Sequence, residues 1–357
     1  MLKKKIISGV VLFALALSLC QAKAAKNDKS AKSGKAGAMP AWVNVPSSVY
    51  PSGEYISAVG SARDRSSAEV KAVQAVAAGF NQKIDSTEKA SNRMIQARKD
   101  GTVATVQLAE FDQQVLRYVN ADDLIGIEVK EFWNDEKNST WYAIAVMEKA
   151  KGASLYSDLI KANISSINRM IEKIKTASID SYAYCDFAIE VAKVNEGYYS
   201  RLSVIKPAAA EALKDDMISS KKLQVRALEI ANSIPVCIAI ENDVDGRFAQ
   251  AFAGVLKNLG FKTTFDAGAR YKILGTVSFS ESKTTDNTNV RCRYSLDSYL
   301  FDSETQKNII PFTISGRESH TVYSEAKVRA VRSIEKKIAE GFGESLRNYT
   351  KQFSDNN

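Results

Sequence analysis

Tyr55–Ile84, YISAVGSARDRSSAEVKAVQAVAAGFNQKI, decides the fold class. Tyr55–Ala62 reads as a strand closing on a glycine turn, rich in the residues that fit a pleated, half-buried surface. Ser66 then opens a helix, with Glu69 three residues on in a capping-box pattern. Val70, Val73, Val76, Phe80 and Ile84 recur at helical spacing and predict a stripe facing a sheet. Polar helical sequence continues to about Arg98. Two further strands are expected at Leu124–Trp133 and Trp141–Met147, the second alternating cleanly. The order strand, helix, strand, strand describes a small α+β domain.

Upstream, Pro40-Ala41-Trp42-Val43 is expected to be extended, since proline restricts its neighbours. Downstream, residues 150–233 carry almost no strand signal. Leu155, Leu159, Ile164, Ile167, Ile171 and Ile174 form one amphipathic stripe, and further helices are expected at Ser181–Glu196 and Ala208–Asn232. Tyr182, Tyr184, Tyr198 and Tyr199 decorate this region, either as an aromatic groove or as packing between helices. From Ile234 the pattern changes again. Pro235–Ile240 is a buried strand, and Asp243 or Asp245 caps a helix that ends at Gly260. Strands at Tyr271–Ser280, Arg291–Phe301 and Asn308–Ser315 follow, turning at Asp286-Asn287 and Asp302-Ser303, with a last helix over Ser324–Phe353.

The chain thus reads as α+β: two small α/β sandwich domains, 40–149 and 234–357, joined by a helical connector, 150–233. The two domains share a detail. Ala68-Glu69-Val70-Lys71-Ala72-Val73 returns as Ala326-Lys327-Val328-Arg329-Ala330-Val331, and the apolar positions beyond it match at one fixed offset. Duplication and convergence of two Ala/Val-rich helices both account for this.

The N-terminal end reads as an export signal over residues 1–24. Lys3–Lys5 precede Ile6–Leu19, an apolar run too short to span a bilayer comfortably. Ala22-Lys23-Ala24 fits small-x-small cleavage before Ala25, which is the favoured reading. Leu17-Ser18-Leu19-Cys20 resembles a bacterial lipobox with Cys20 as the lipidation candidate, although Leu19 is larger than the residue usually found there. Residues 25–39 form a Lys/Ala/Ser-rich flexible tether, in which positions 25–38 hold no large apolar side chain to offset the ordering entropy. Its lysines suit an anionic lipid surface or simply solvent.

Of the net charge of +8, the lysines of the first 24 residues contribute +4 and residues 25–39 contribute +3, leaving +1 from Pro40 onward. No basic excess remains on the folded part, and no nucleic-acid partner is expected. Hydrophobic residues are 45% and charged residues 25%, as in a soluble globular protein.

Chemistry-bearing motifs are sparse. His320 is the only imidazole, and its plain reading is a polar residue leading into the last helix. Cys185, Cys237 and Cys292 make no CxxC; Cys237 and Cys292 either pair across the C-terminal sheet or stay as buried thiols. Glu241–Gly246 starts like an EF-hand loop, but Phe252 stands where a bidentate Glu is required. Ser324-Glu325-Ala326-Lys327 matches Ser-x-x-Lys without the partner motifs of a penicillin-recognising enzyme. No phosphate-binding glycine loop is present, and Asp122-Asp123 would point to opposite faces of a strand. No catalytic residue, metal site or cofactor is expected.

From Pro40 to about Met147 the sequence resembles the LPP20 lipoprotein domain family, through Pro40-Ala41-Trp42-Val43, Tyr55–Ala62 and the Ala-rich helix from Ala68. The resemblance implies a small α/β sandwich without a known catalytic site, carried by exported and outer-membrane lipoproteins and similar to a module of a flagellar-assembly protein. The C-terminal domain more weakly resembles the N-terminal domain of TolB, through PVCIAIENDVDGRFAQAF, LGFKTTF and YKILGTVSF. These resemblances imply a non-enzymatic envelope protein, of assembly or scaffolding type, working through contacts with other envelope proteins. Its location would be periplasmic or anchored at the outer membrane. The alternative is a periplasmic module binding a small ligand or peptidoglycan fragment.

Overall fold

The structure is a computed structural model that describes residues 32–33, 38–96, 124–283 and 289–351. Its described residues group into two compact units. One runs to Asp158 and includes Tyr199–Ala212; the other holds Leu159–Tyr198 and the residues from Leu213 onward. The helical residues 150–233 are therefore divided between the units. The class is α+β, as the sequence predicts.

In the first unit the strands are β1 (Lys32–Ser33), β2 (Tyr55–Ala62), β3 (Ile127–Asp135) and β4 (Thr140–Glu148), ordered β1-β3-β4-β2. The short β1 runs parallel to β3, so Lys32–Ser33, expected within a flexible tether, instead add an edge strand through backbone hydrogen bonds; the other pairings are antiparallel. Helix α2 (Arg65–Gln96) covers one face. Ala68, Ala72 and Val76 of α2 meet Ala143 and Ala145 of β4, with Ile56 and Ala58 of β2 beside them. The opposite face holds Ile144 and Val146 of β4, Trp133 of β3, and Trp42 from the four-residue helix α1 (Ala41–Asn44).

Three expectations change here. Strand β4 does not alternate between core and solvent; Ala143 to Met147 are all buried. Its alternation is small against large, with alanines under α2 and Ile144 and Val146 on the far side. Ala41–Asn44 is helical rather than extended: Pro40 takes the extended conformation itself as the N-cap, and the turn begins after it. Finally, α2 is capped by Asp64, whose Oδ1 accepts the Ser67 N–H at 2.9 Å, while Glu69 pairs with Arg65 at 2.7 Å. Asp64 is as good a cap as serine and lies one helical turn before that donor.

A bulge in β3 gives the sheet two apolar faces. Val129 pairs with Ala145 and Glu131 with Ile144, leaving Lys130 as the extra residue. Because side chains alternate with period two, one inserted residue exchanges the faces. Ile127 and Val129 lie under α2, whereas after the bulge Phe132 does and Trp133 faces away. Glu131 is thereby aimed at α1, where it accepts Trp42 Nε1–H at 3.0 Å and the Tyr50 hydroxyl at 2.9 Å. Burial and this carboxylate both raise the Tyr50 phenol above its ordinary pKa.

Helices α3 (Lys149–Lys173), α4 (Ile179–Ile205), α5 (Pro207–Glu211) and α6 (Ser220–Asn232) follow. The single helix expected over Ala208–Asn232 is two, and α6 starts where Glu196 accepts both the N–H and the hydroxyl of Ser220 at 2.8 Å.

The second unit carries β5 (Pro235–Glu241), α7 (Arg247–Asn258), β6 (Lys262–Thr264), β7 (Tyr271–Lys283), β8 (Val290–Asp302), β9 (Lys307–His320) and α8 (Tyr323–Lys351). The sheet order is β6-β5-β7-β8-β9, with β5 parallel to β6 and β7 and the rest antiparallel. Helices α7 and α8 bury Phe252 and Phe342 against Phe312 of β9, in edge-to-face pairs with centroids 4.9–5.9 Å apart. The Asp243 carboxylate caps α7 through the N–H groups of Phe248 and Ala249, at 3.0 and 2.9 Å.

One ion pair closes the far end of this sheet. Asp302, 4% exposed, accepts Arg270 Nε at 2.9 Å and Nη2 at 2.8 Å, and the Glu304 N–H at 3.0 Å. Burial alone would raise this carboxyl, but the hydrogen bonds from Arg270 and Glu304 outweigh it and hold it below its ordinary 3.8. A carboxyl lowered by folding adds stability above its unfolded pKa, and that stability is lost as pH falls through the lower folded value. Urea midpoints should therefore fall on acidification below about pH 4, and Asp302→Asn should flatten that limb while lowering stability at neutral pH. A variant whose acid limb parallels the wild type would show that this pair does not carry the dependence.

Candidate functional site

The residues carrying candidate chemistry are dispersed. His320 ends β9, and its Nδ1 accepts the Val322 N–H at 3.3 Å, a local turn into α8. Cys185, on α4, donates to the Leu223 carbonyl at 3.2 Å, and burial pushes its thiol up to about 11. Cys237 and Cys292 are free and buried. They do not pair, because β7 lies between their strands: Cys237 registers with Lys272 and Cys292 with Glu281. Nine residues of strand separate those positions, about 30 Å, whereas a disulfide needs Cα atoms within about 7 Å.

Tyr182 packs on Phe261 with the rings tilted by 57° and centroids 4.8 Å apart, which is packing between elements of the second unit. Ser324 and Lys327 open α8, where the Lys327 ammonium lies over the Phe279 ring. Among the described residues, no three His, Cys, Asp or Glu side chains gather as a metal site. Cys20, Asp122 and Asp123 lie outside the described residues.

What the fold does present is strand edges and exposed apolar side chains. Strand β9 pairs only with β8 among the described residues. Its outward carbonyls are met by long cations of α8, Lys337 Nζ to Ser315 O at 2.8 Å and Arg329 Nη1 to Ser319 O at 3.3 Å. Strand β2, the corresponding edge in the first unit, is treated likewise: Lys71 Nζ of α2 reaches Ser61 O at 3.1 Å. Lys71 and Arg329, and Ser61 and Ser319, stand at the same fixed offset as the repeated Ala/Val hexapeptide. The repeat thus includes a contact: a cation nearly two turns into the helix covers the edge of the strand before it. Charged side chains on an edge oppose strand addition.

The β6 edge differs. It is three residues long and leads into Phe265, which is 105% exposed. The loop that carries it is held by its own hydrogen bonds. Asp266 N–H donates to Thr264 Oγ1 at 3.1 Å, Gly268 N–H to Asp266 Oδ1 at 2.8 Å, and Ala269 N–H to Asp266 O at 3.1 Å. A phenyl ring presented on an ordered loop has the character of a contact anchor. The signal in the sequence is a large aromatic residue placed among turn formers, Thr264-Phe265-Asp266-Ala267-Gly268. Val225 and Leu228, one turn apart on α6, are also exposed.

No protein-family model matches the chain, and no curated protein matches it. Among solved structures, the secreted protein HP1454 of Helicobacter pylori is similar at 10% identity, covering 83% of this chain and 97% of its own, with a TM-score of 0.39. A minor lipoprotein of Acinetobacter baumannii aligns at 14% identity over 34% of this chain and 87% of its own, TM-score 0.21. A putative lipoprotein of Caulobacter crescentus aligns at 12% over 34% and 92%, TM-score 0.21. These neighbours are secreted or lipoprotein chains, and likeness at this level leaves the family of this chain undefined.

Proposed function

We propose that this chain is a non-enzymatic, exported protein of the bacterial cell envelope that works through contacts with other envelope proteins, its first unit being of the LPP20 type. The observation that carries the reading is Phe265, fully exposed beside the β6 edge on a loop held by its own hydrogen bonds. Phenylalanine is among the aromatic residues enriched in the cores of protein–protein interfaces. The dispersal of His320 and the three described cysteines points the same way. Export rests on the N-terminal residues: Lys3–Lys5, the apolar Ile6–Leu19 and the small Ala22 and Ala24. Cleavage before Ala25 leaves a chain with a basic tether, whereas acylation of Cys20 would anchor it.

A photo-reactive residue at position 265, introduced in the producing cell, tests the contact. The expected result is a discrete adduct with an envelope protein that is not formed from the exposed Lys257 on α7. Identical adduct patterns from the two positions, or none, would overturn the assignment. Phe265→Ser should leave stability within about 0.5 kcal/mol, as an exposed side chain does. Intact mass of the mature protein should begin at Ala25. An acylated Cys20 would move it to the lipoprotein class, and a retained Met1 would refute export.

A further inference from the structure

The outer face of the second sheet carries an arginine cluster that the protein-contact reading does not use. Strand β8 buries alternate residues, Cys292, Tyr294, Leu296 and Ser298, toward the helices. The residues between them, Arg291, Arg293, Ser295 and Asp297, therefore lie on the opposite face. Register places Arg293 directly opposite Arg317 of β9 on one side and opposite Ser280 of β7 on the other. Arg291 lies two residues along, between Ser282 and Ser319. The surrounding positions Ser278, Ser280, Thr313 and Ser315 are exposed hydroxyls.

Like charges directly opposite across an antiparallel pair are unfavourable. Arg293 and Arg317 are both exposed, and no ion pair to them, or to Arg291, is present among the described residues. The acids nearest in register cannot neutralise them. Glu281 and Glu318 pair with Cys292, so parity puts them on the helix side, where Glu318 accepts the Ser333 hydroxyl. Asp297 is on the outer face but four residues along β8 from Arg293. Two adjacent guanidinium groups can each engage a phosphate oxygen pair through paired N–H donors, and two neighbouring singly charged phosphates match them in charge.

We infer that this face docks on an anionic phospholipid surface, with Arg291, Arg293 and Arg317 contacting headgroup phosphates. Three features select that occupant. The cations and hydroxyls stand on a strand surface rather than in a concavity, which suits an array of phosphates and not one enclosed small molecule. No aromatic side chain stands among them to stack on bases, which disfavours single-stranded nucleic acid. The chain's other basic excess, on residues 25–39, matches the same surface.

The test is sedimentation of the full mature chain with vesicles of phosphatidylcholine alone and of phosphatidylcholine with phosphatidylglycerol. Binding is expected only to the anionic vesicles and should weaken with salt. Replacing Arg291, Arg293 and Arg317 together by Gln should weaken it on the order of 100-fold, with an unchanged melt. Replacing all three by Lys should retain most of it. Wild-type binding by the Gln triple, or equal binding to neutral vesicles, would overturn the inference. Full displacement by inorganic phosphate would assign a soluble-phosphate site instead. Preference for poly-glutamate over vesicles would assign an acidic protein partner. None of these outcomes depends on Phe265, so the two readings fail separately.

Discussion

Gly60→Ala should unfold the first unit at temperatures the wild type withstands. Gly60 sits within β2, directly under α2. A Cβ added there would stand 2.2 Å from Ala72 N, 2.4 Å from Ala68 O and 2.7 Å from the Lys71 carbonyl carbon. All three are main-chain atoms, so no side chain can rotate away, and the helix would have to lift from the sheet. That would open the contact of Ala68 and Ala72 with Ala143 and Ala145, which are fully buried. Overpacking a core costs about 1–3 kcal/mol where side chains can adjust; here the expected loss is about 3 kcal/mol or more. For a unit of this size each kcal/mol lowers Tm by about 4–8 °C. The measurement is clean, because the protein's three tryptophans, Trp42, Trp133 and Trp141, all lie in the first unit, so the fluorescence melt reports on it. Gly53→Ala, with no atom within 4 Å of the added Cβ, is the control and should melt close to wild type. An unshifted Gly60→Ala would mean that α2 does not pack this closely on β2.

The same residue shows where sequence reading stops. Strand, helix, strand, strand was legible because local signals dominate: the apolar period of α2, the β-branched and aromatic runs, the turn formers. Gly60 reads locally as a turn residue, and its actual role depends on a helix that passes over it. The small residues Ala68 and Ala72, four apart on α2, carry that signal, but only once the helix is known to lie on β2. Trp42 is similar. Its helical turn is held by Glu131, 89 residues away, and that carboxylate reaches it only because a bulge at Lys130 turns the strand over. A bulge leaves no period in the sequence. Strand β4 misled for another reason: in WYAIAV, a small–large alternation buried on both faces imitates an in–out alternation.

The surface features were still less legible. Phe265 is one aromatic residue among turn formers, and its exposure is a property of the loop. Arg291 and Arg293 alternate visibly along β8, but the opposition of Arg293 to Arg317 depends on the register of β8 against β9, which the β8–β9 turn and a bulge near Phe301 set together. Almost no net charge remains after Pro40 although Arg291, Arg293 and Arg317 cluster locally, because acids elsewhere, Glu281 and Glu318 on the other side of this sheet among them, offset the cluster in the sum.

Val331→Asp should destabilise the second unit by about 3–5 kcal/mol, whereas Val328→Asp, three residues earlier on the same helix, should change stability by no more than about 0.5 kcal/mol. Both valines belong to the apolar spacing repeated between α2 and α8, and periodicity alone places both in the core. The structure separates them: Val331 is 3% exposed and Val328 39%. Val70, the counterpart of Val328 in α2, is exposed as well, at 53%. The true stripe of α8 runs through Ala326, Ala330, Val331, Ile334, Ile338 and Phe342, so alanines, not the first valine, begin the buried face. A small residue there lets the helix approach the sheet, as Ala68 and Ala72 do in α2. A carboxylate at 331 would be driven into the buried core beside Ile334, with Lys327 four residues earlier held over the Phe279 ring, and would protonate or force the site open to water. At 328 it would stay solvated, because that side chain lies at the exposed margin of the stripe. Urea denaturation followed by far-UV circular dichroism distinguishes the two. Equal loss in both variants would mean that α8 is rotated about its axis from the orientation described, and a tolerated Val331→Asp would mean that its buried face is not the one that begins at Ala326.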